Sequence, residues 1–486
     1  MKLKIYMSHA VKIKEKTQFE ERLLQQLKYV PTAGQKHLAN AIARFVFSEK
    51  EKLTFVLKGY AGTGKTTFIS VLVQVLPSVN MKSVLLAPTG RAAKVIQAYS
   101  GRTASTIHRK IYHSETSANG GVAFKLGQNK HKNTIFLVDE ASMIGTDIGV
   151  GAFGNQDLLS DLTEYVFSGE NCRMILVGDV AQLPPVGSDI SPALDVRYLR
   201  HGLGLTAGHV ELTEVVRQAE GSGILNNATM LRNAIGASVF EMPKFDLSLP
   251  DVERVGGYEL QDELESAYGK YGMENTVFIC RSNKSANGFG QQVRARILFH
   301  DEELNAGELL MVVKNNYTWL AENGSPGLIA NGDMIRVNRI VQEERKWGFH
   351  FMDVQASISF DDGEKEIEVK LMMDSVMAEG PSIPRKRMQE LYAALEIKYE
   401  DTKNRGLRKR KIFEDPYYNA LQVKMAYAVT CHKAQGGQWP VVFIEQGYLT
   451  EEMLNDEYLR WLYTAFTRAT EKVILVNFGE DFFVEE

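Results

Sequence analysis

Short apolar, β-branched runs recur along the chain, each ending in polar or glycine residues. They fall at 54–57, 83–87, 134–138 and 173–177, then at 276–280, 441–445 and 472–477. Between several of them lie stretches with helical spacing, such as 66–76 and 91–99. Buried strands alternating with helices predict parallel sheets covered on both faces. Two clusters of such strands predict two α/β domains, with the break near residues 205–215. Two segments depart from the alternation. Residues 109–132 read as a small hairpin around Asn119-Gly120-Gly121. Residues 333–415 begin with alternating strands (334–341, 350–359, 367–373) and become a charged helical stretch. Both read as insertions into the α/β cores.

Composition changes this picture little. At roughly 150 residues per domain, 486 residues suggest about three units. A hydrophobic content of 44% is enough for sizeable cores and excludes a disordered or collagen-like chain. The net charge of −4 gives no hint of a polyanionic partner. The three cysteines, Cys172, Cys280 and Cys431, show neither metal-ligand spacing nor a disulfide framework, which favours a reducing compartment. The N-terminus lacks the apolar stretch of a signal peptide, and no window is apolar enough for a membrane span. A cytoplasmic, intracellular location without membrane contact is the expectation.

The chemistry starts at Gly59-Tyr60-Ala61-Gly62-Thr63-Gly64-Lys65-Thr66, which satisfies G-x-x-x-x-G-K-[ST] between a strand and a helix. Backbone N–H groups of Gly59, Ala61, Gly62, Thr63 and Gly64, continued by Thr66 and Thr67 at the helix N-terminus, are expected to wrap the phosphates of ATP. Lys65 reaches the β- and γ-phosphates, and Thr66 ligates Mg²⁺. Asp139 and Glu140 end a buried strand, where a carboxylate faces the crevice in which open α/β sheets bind ligands. Asp139 is the expected Mg²⁺ ligand and Glu140 the group that orients and deprotonates the attacking water. Arginine stabilises a departing γ-phosphate bidentately. Arg217, at the end of the first α/β unit, and Arg468, in the second, are the candidates. If both face one nucleotide, the site lies between domains.

These motifs, in order and spacing, resemble superfamily 1B helicases of the RecD-like and Dda-like group, from about residue 31 to 469. The resemblance implies two RecA-like P-loop domains, 1A (1–108 and 133–212) and 2A (213–332 and 416–486). It also implies a 1B pin hairpin at 109–132 and an SH3-like 2B insertion at 333–415, which carries the basic helical arm. Tyr112 and Phe124 are the aromatics available to the pin. In PTAGQKHLANAI the resemblance implies that Gln35 reads adenine. In GDVAQLPPV it implies that Gln182 senses the γ-phosphate, and in AYAVTCHKAQGGQWP that Gly437 lies by the nucleotide. It places Pro88, Thr89, Thr106, His108, Thr430, His432 and Lys433 on a single-stranded DNA track, where hydroxyls, amides and a few cations make most phosphate contacts.

The implied activity is ATP- and Mg²⁺-dependent unwinding of forked duplex DNA by a monomer that moves 5′→3′ on single-stranded DNA. The residues leave open an RNA or mixed substrate, because the strand contacts are largely to phosphate. They also leave open a nucleotide-switched DNA-binding scaffold with slow hydrolysis. Residues 385–411 hold ten Lys and Arg against four acids. This arm is either a surface along incoming DNA or a solvated face laced with ion pairs.

Overall fold

The computed structural model describes residues 2–116, 122–145, 157–216, 221–237, 239–316, 318–320, 329–360 and 363–484. Two helices open the chain, α1 (Lys2–Gln25) and α2 (Ala33–Val46). The first sheet uses β1 (Leu53–Gly59), β2 (Lys82–Ala87), β3 (Ala104–Thr106), β6 (Thr134–Val138), β7 (Arg173–Gly178) and β8 (Thr206–Leu212). It is six-stranded, in the order β3-β2-β6-β7-β1-β8, and every pairing is parallel. The central strands are buried at every position because helices cover both faces. Those helices include α3 (Lys65–Val75), α4 (Gly90–Ser100), α5 (Ile107–Ile111) and α6 (Leu158–Phe167). Accordingly, the core splits into one cluster on each side of the sheet.

Between α5 and β6 the chain forms an antiparallel hairpin of β4 (Tyr112–Thr116) and β5 (Val122–Leu126). The side chain of Phe124 lies outside the described set. Tyr112 is tied down, since its hydroxyl donates to Asp161 of α6 at 2.6 Å.

The second parallel sheet comprises β9 (Val252–Val255), β10 (Thr276–Cys280), β16 (Ala428–Thr430), β17 (Trp439–Glu445) and β18 (Ala469–Val476). Its order is β16-β10-β17-β18-β9. Around it pack α7 (Gly223–Ala234), α8 (Leu260–Tyr271), α9 (Asn283–Gln292), α12 (Cys431–Ala434) and α13 (Asp456–Phe466). The fold class is therefore two parallel, helix-covered α/β domains of the RecA-like kind.

The insertion is larger than 333–415. A closed five-stranded barrel joins β12 (Met334–Lys346), β13 (Phe349–Phe360) and β14 (Gly363–Met372) with β11 (Leu309–Val312) and β15 (Leu421–Met425). The last two strands fall outside the expected bounds. The reason is geometric: 333–415 supplies three strands, and closure draws the other two from the flanking chain. Helices α10 (Arg385–Lys398) and α11 (Arg405–Glu414) leave the barrel between β14 and β15. They share a small core with Phe349, Phe351 and Met372. Cys172, Cys280 and Cys431 are free and buried. Among the described residues no helix is long and apolar enough to cross a membrane.

Candidate nucleotide site and nucleic-acid track

The loop after β1 turns back on itself because Gly62 and Gly64 adopt φ of +73° and +82°, a region that only glycine enters without strain. Gly64 then caps α3, and Lys65 is the first helical residue. The Lys65 ammonium donates to the carbonyls of Gly59 and Tyr60, both at 2.8 Å, and lies 4.0 Å from Asp179. Thr66 is exposed at the helix N-terminus and Thr67 half-buried beside it. Gln35 works inside the protein. Its Oε1 accepts from Thr32 N in a capping box (3.2 Å), and its Nε2 donates to the Thr63 carbonyl (3.3 Å). The adenine reading thus falls on a side chain that already ties α2 to the phosphate loop.

Asp139 and Glu140 follow β6. Asp139 accepts from the Tyr99 hydroxyl at 2.5 Å and from Glu140 N at 2.9 Å. Burial, with Glu140 alongside, pushes its pKa up to about 6. Glu140 sits at φ +51°, a left-handed conformation that costs a non-glycine residue about 1 kcal/mol or more. That turn points its carboxylate at the second domain, where Oε1 lies 3.5 Å from Arg468 Nη1. Arg468 is only 3% exposed and donates to the carbonyls of Thr464 and Gly437 and to the Thr467 hydroxyl. Gly437 is therefore placed behind Arg468, closely packed against Arg91 and Trp439. Gln182 is buried on the loop after β7, its Oε1 lacking a hydrogen-bond partner among the described residues, in a small cavity shared with Ser142 and Arg460. Arg217 lies outside the described residues.

Several groups that sequence reasoning missed complete the arrangement. Asp179 ends β7 as Asp139 ends β6, so the same strand-end logic applied to Gly178-Asp179 would have found it. Its pKa is raised by burial, with Lys65 opposing. The Tyr463 hydroxyl donates to Asp179 at 2.6 Å and accepts from Ala61 N at 2.8 Å. Thr464 accepts from Leu183 N at 2.9 Å, and Arg460 donates to the Val180 carbonyl. Positions 460, 463 and 464 share one face of α13. That spacing lies within RWLYTAFTRA, the motif segment that also carries Arg468, but only Arg468 was singled out there.

The strand residues fall into two groups. Thr89 caps α4, accepting from Ala92 N at 3.2 Å, and follows half-buried Pro88. Gly436, at φ +71°, brings the 430–437 segment onto it: a Cβ there would lie 3.4 Å from Thr89 Oγ1 and 2.7 Å from Ala92 Cβ. Thr430, exposed His432 and Lys433 belong to that segment, so both domains contribute to one surface. The Lys433 ammonium donates to the Pro381 carbonyl at 3.4 Å; burial, then the neighbouring Lys424, lowers its pKa to about 8. Thr106 and His108 are different. Thr106 is buried and caps α5 through Arg109 N (3.2 Å). Burial lowers His108 to about 4, so its imidazole is neutral at physiological pH and stands beside Tyr112, ring centroids 5.8 Å apart.

A glycine-rich loop on one parallel sheet, met by an arginine and a tyrosine from a second, is the arrangement of a two-domain P-loop nucleotide-binding protein. Comparison with known proteins narrows the class. Residues 32–243 match the family model of an AAA domain, and residues 425–476 that of the UvrD-like helicase C-terminal domain. The chain is 26% identical over 320 residues to the ATP-dependent RecD2 DNA helicase of Deinococcus radiodurans, covering 63% of this chain and 40% of that protein. It is 25% identical over 319 residues to the ATP-dependent DNA helicase dda of Enterobacteria phage T4, covering 63% of this chain and 67% of that one. A crystal structure of Pif1 helicase from Bacteroides in complex with ADP-AlF3 and ssDNA aligns over 94% of this chain and 95% of its own, at 16% identity and a TM-score of 0.46. The family models and the two named helicases bear out the resemblance to the superfamily 1B RecD-like and Dda-like group.

Proposed function

We propose that this chain is an ATP- and Mg²⁺-dependent DNA helicase that moves 5′→3′ on single-stranded DNA and opens forked duplex, working as a monomer. The observation that carries this reading is the Glu140–Arg468 approach of 3.5 Å across the two domains. A water-activating carboxylate that meets an arginine of the other domain makes hydrolysis depend on how the domains sit. Conversely, hydrolysis can then move them. Gln182, whose amide oxygen has no partner among the described residues, lines a small cavity with Asp179 and Arg460 and supplies a further polar group between the domains. The split strand surface, Thr89 from the first domain and Thr430, His432 and Lys433 from the second, gives that motion something to pull on.

The Mg²⁺ reading rests on the donor set. Thr66 and Asp139 offer hard oxygens. Mg²⁺ keeps several waters and leans on substrate phosphates, so it needs few protein oxygens. Thr66 and Asp139 would hold it, and when bound it would neutralise charge on the β- and γ-phosphates. Both named relatives are DNA helicases, which supports DNA over RNA for this chain.

The test is an unwinding assay on 5′-tailed, 3′-tailed and blunt substrates of DNA and RNA, with wild type against Glu140→Gln. The 5′-tailed DNA fork is opened by wild type alone, and the variant binds it without opening it. Preference for the 3′ tail would sink the polarity, and equal opening of RNA the substrate. Strand binding without opening by wild type would favour a switched scaffold.

A further inference from the structure

In a glycine-rich phosphate loop the backbone N–H groups are the phosphate donors. One of them, Ala61 N–H, is engaged from the other domain by the Tyr463 hydroxyl at 2.8 Å. The same hydroxyl donates to Asp179 Oδ2 at 2.6 Å, and Tyr463 and Asp179 are 1% and 2% exposed. Asp179 accepts in addition from Ala181 N at 2.9 Å and faces the Lys65 ammonium at 4.0 Å. A single buried oxygen therefore bridges the phosphate loop, the end of β7 and α13. It stands five residues before Arg468 on the segment whose Arg460 and Thr464 hold Val180 and Leu183.

The geometry points to Tyr463 as a positioning residue that transmits phosphate occupancy of the loop to the second domain. It does not touch the reacting atoms. A phosphate oxygen is charged and accepts a hydrogen bond more strongly than a neutral hydroxyl. When it takes Ala61 N–H, the tyrosine keeps only its bond to Asp179. Lys65, drawn from the Gly59 and Tyr60 carbonyls toward the phosphate, changes its distance to that same carboxylate. Both changes converge on Tyr463, and α13 carries them to Arg468. The inference rests on the P-loop being the ATP site of a strand-stimulated motor, and it adds a second line of communication beside the Glu140–Arg468 approach.

Tyr463→Phe keeps the ring and deletes the oxygen, and three measurements read the result. Affinity for a fluorescent ADP analogue without strand rises by about two- to tenfold, the worth of one neutral hydrogen bond no longer competing for Ala61 N–H. In strand-stimulated hydrolysis KM for ATP falls while kcat falls about tenfold. The melting temperature stays within a few degrees of wild type. Asp179→Asn added to Tyr463→Phe costs much less kcat than it does in the wild-type background, because both act through one bond. The idea is overturned if Tyr463→Phe leaves affinity and kcat within twofold of wild type. It is equally overturned if affinity falls together with melting temperature, the pattern of lost packing, or if the two substitutions are additive. Should wild type itself show no strand-stimulated hydrolysis, it is the ATP-motor reading that fails.

Discussion

Glu140 of the interdomain site and the acids of the barrel are satisfied in opposite ways. In and around the barrel three acids have several partners each. Glu308 accepts from Arg294, from Asn305 N at 2.8 Å and lies 3.1 Å from His300 Nδ1. Glu344 holds Lys346 at 2.6 Å and Lys370 at 2.7 Å and accepts from Tyr417 at 2.9 Å. Asp415 holds Lys398 at 2.6 Å and the Tyr399 hydroxyl at 2.7 Å. Between the parallel sheets, among the described residues, Glu140 has one cation at 3.5 Å and a backbone held at φ +51°, and Gln182 has a buried oxygen with no partner. Fully partnered acids fix a shape. Under-partnered ones, held in place by backbone strain, are suited to exchanging partners during a cycle. The contrast separates a part of the molecule that must keep its form from a part that must change it.

The largest effect that tests this division is at Arg468. Arg468→Ala lowers strand-stimulated hydrolysis about a thousandfold, the usual scale for an arginine that stabilises phosphoryl transfer. Arg468→Lys recovers little, since an ammonium cannot reproduce the fork that reaches Thr464, Gly437 and Glu140 together. Steady-state hydrolysis and thermal melting are read side by side. A loss of less than tenfold accompanied by a large drop in melting temperature would make Arg468 a structural residue and erase the contrast.

How much of this was legible in the sequence follows the same line. The phosphate loop, Asp139, Glu140 and most strands of the parallel sheets could be read directly, because contiguous motifs and continuous apolar runs encode them. The missed strands of those sheets were short or alternating: Ala104–Thr106, Ala428–Thr430 and Val252–Val255, with Thr206–Leu212 exposing every second or third residue at the sheet edge. Leu309–Val312 and Leu421–Met425 are buried throughout and look like sheet strands. Only barrel closure, which joins segments about a hundred residues apart, assigns them. The Ala61–Tyr463 bond spans 402 positions and had no local signature. Gln35 was found as a motif, but its amide proved to be engaged by Thr32 and Thr63, a competition that sequence spacing does not reveal.

At the root of the barrel the effect moves from catalysis to stability. Arg294 and Glu308 are 5% and 0% exposed. Arg294→Met strands a buried carboxylate and destabilises the protein by about 3 kcal/mol, measured by denaturant unfolding, while kcat of the folded protein stays within about twofold of wild type. Glu344 adds a pH signature. Its bonds to Lys346 and Lys370 hold its carboxyl down at about 2, below the unfolded value of about 4.3. A depressed acid stabilises fully above the unfolded value and loses that contribution as pH falls toward the folded one. The melting difference between wild type and Glu344→Gln is therefore complete at pH 6 and closes between about pH 4 and pH 2. A difference that persisted at pH 2 would mean that the charge is not what stabilises this side of the barrel.

The smallest effect divides the helical arm itself. Lys398 caps the fully buried Asp415 carboxylate, and Arg387 and Arg410 hold Glu390 and Glu414. Among the described residues no ion pair holds Arg385, Lys386, Lys403, Arg405 or Lys409. The arm is thus part laced and part free. Lys398→Met leaves Asp415 with Tyr399 and the Tyr417 amide, and costs about 1 to 2 kcal/mol. Lys409→Met, on the solvated side, changes stability by less than about 0.5 kcal/mol. Its charge acts instead on any polyanion lying along the arm. Loss of one phosphate contact flattens the dependence of log affinity on log salt for a duplex DNA by about 0.9, and Lys398→Met leaves that slope unchanged. Equal slopes for Lys409→Met and wild type would return the free cations to the solvent and confine the grip on DNA to the surface shared by the two parallel-sheet domains.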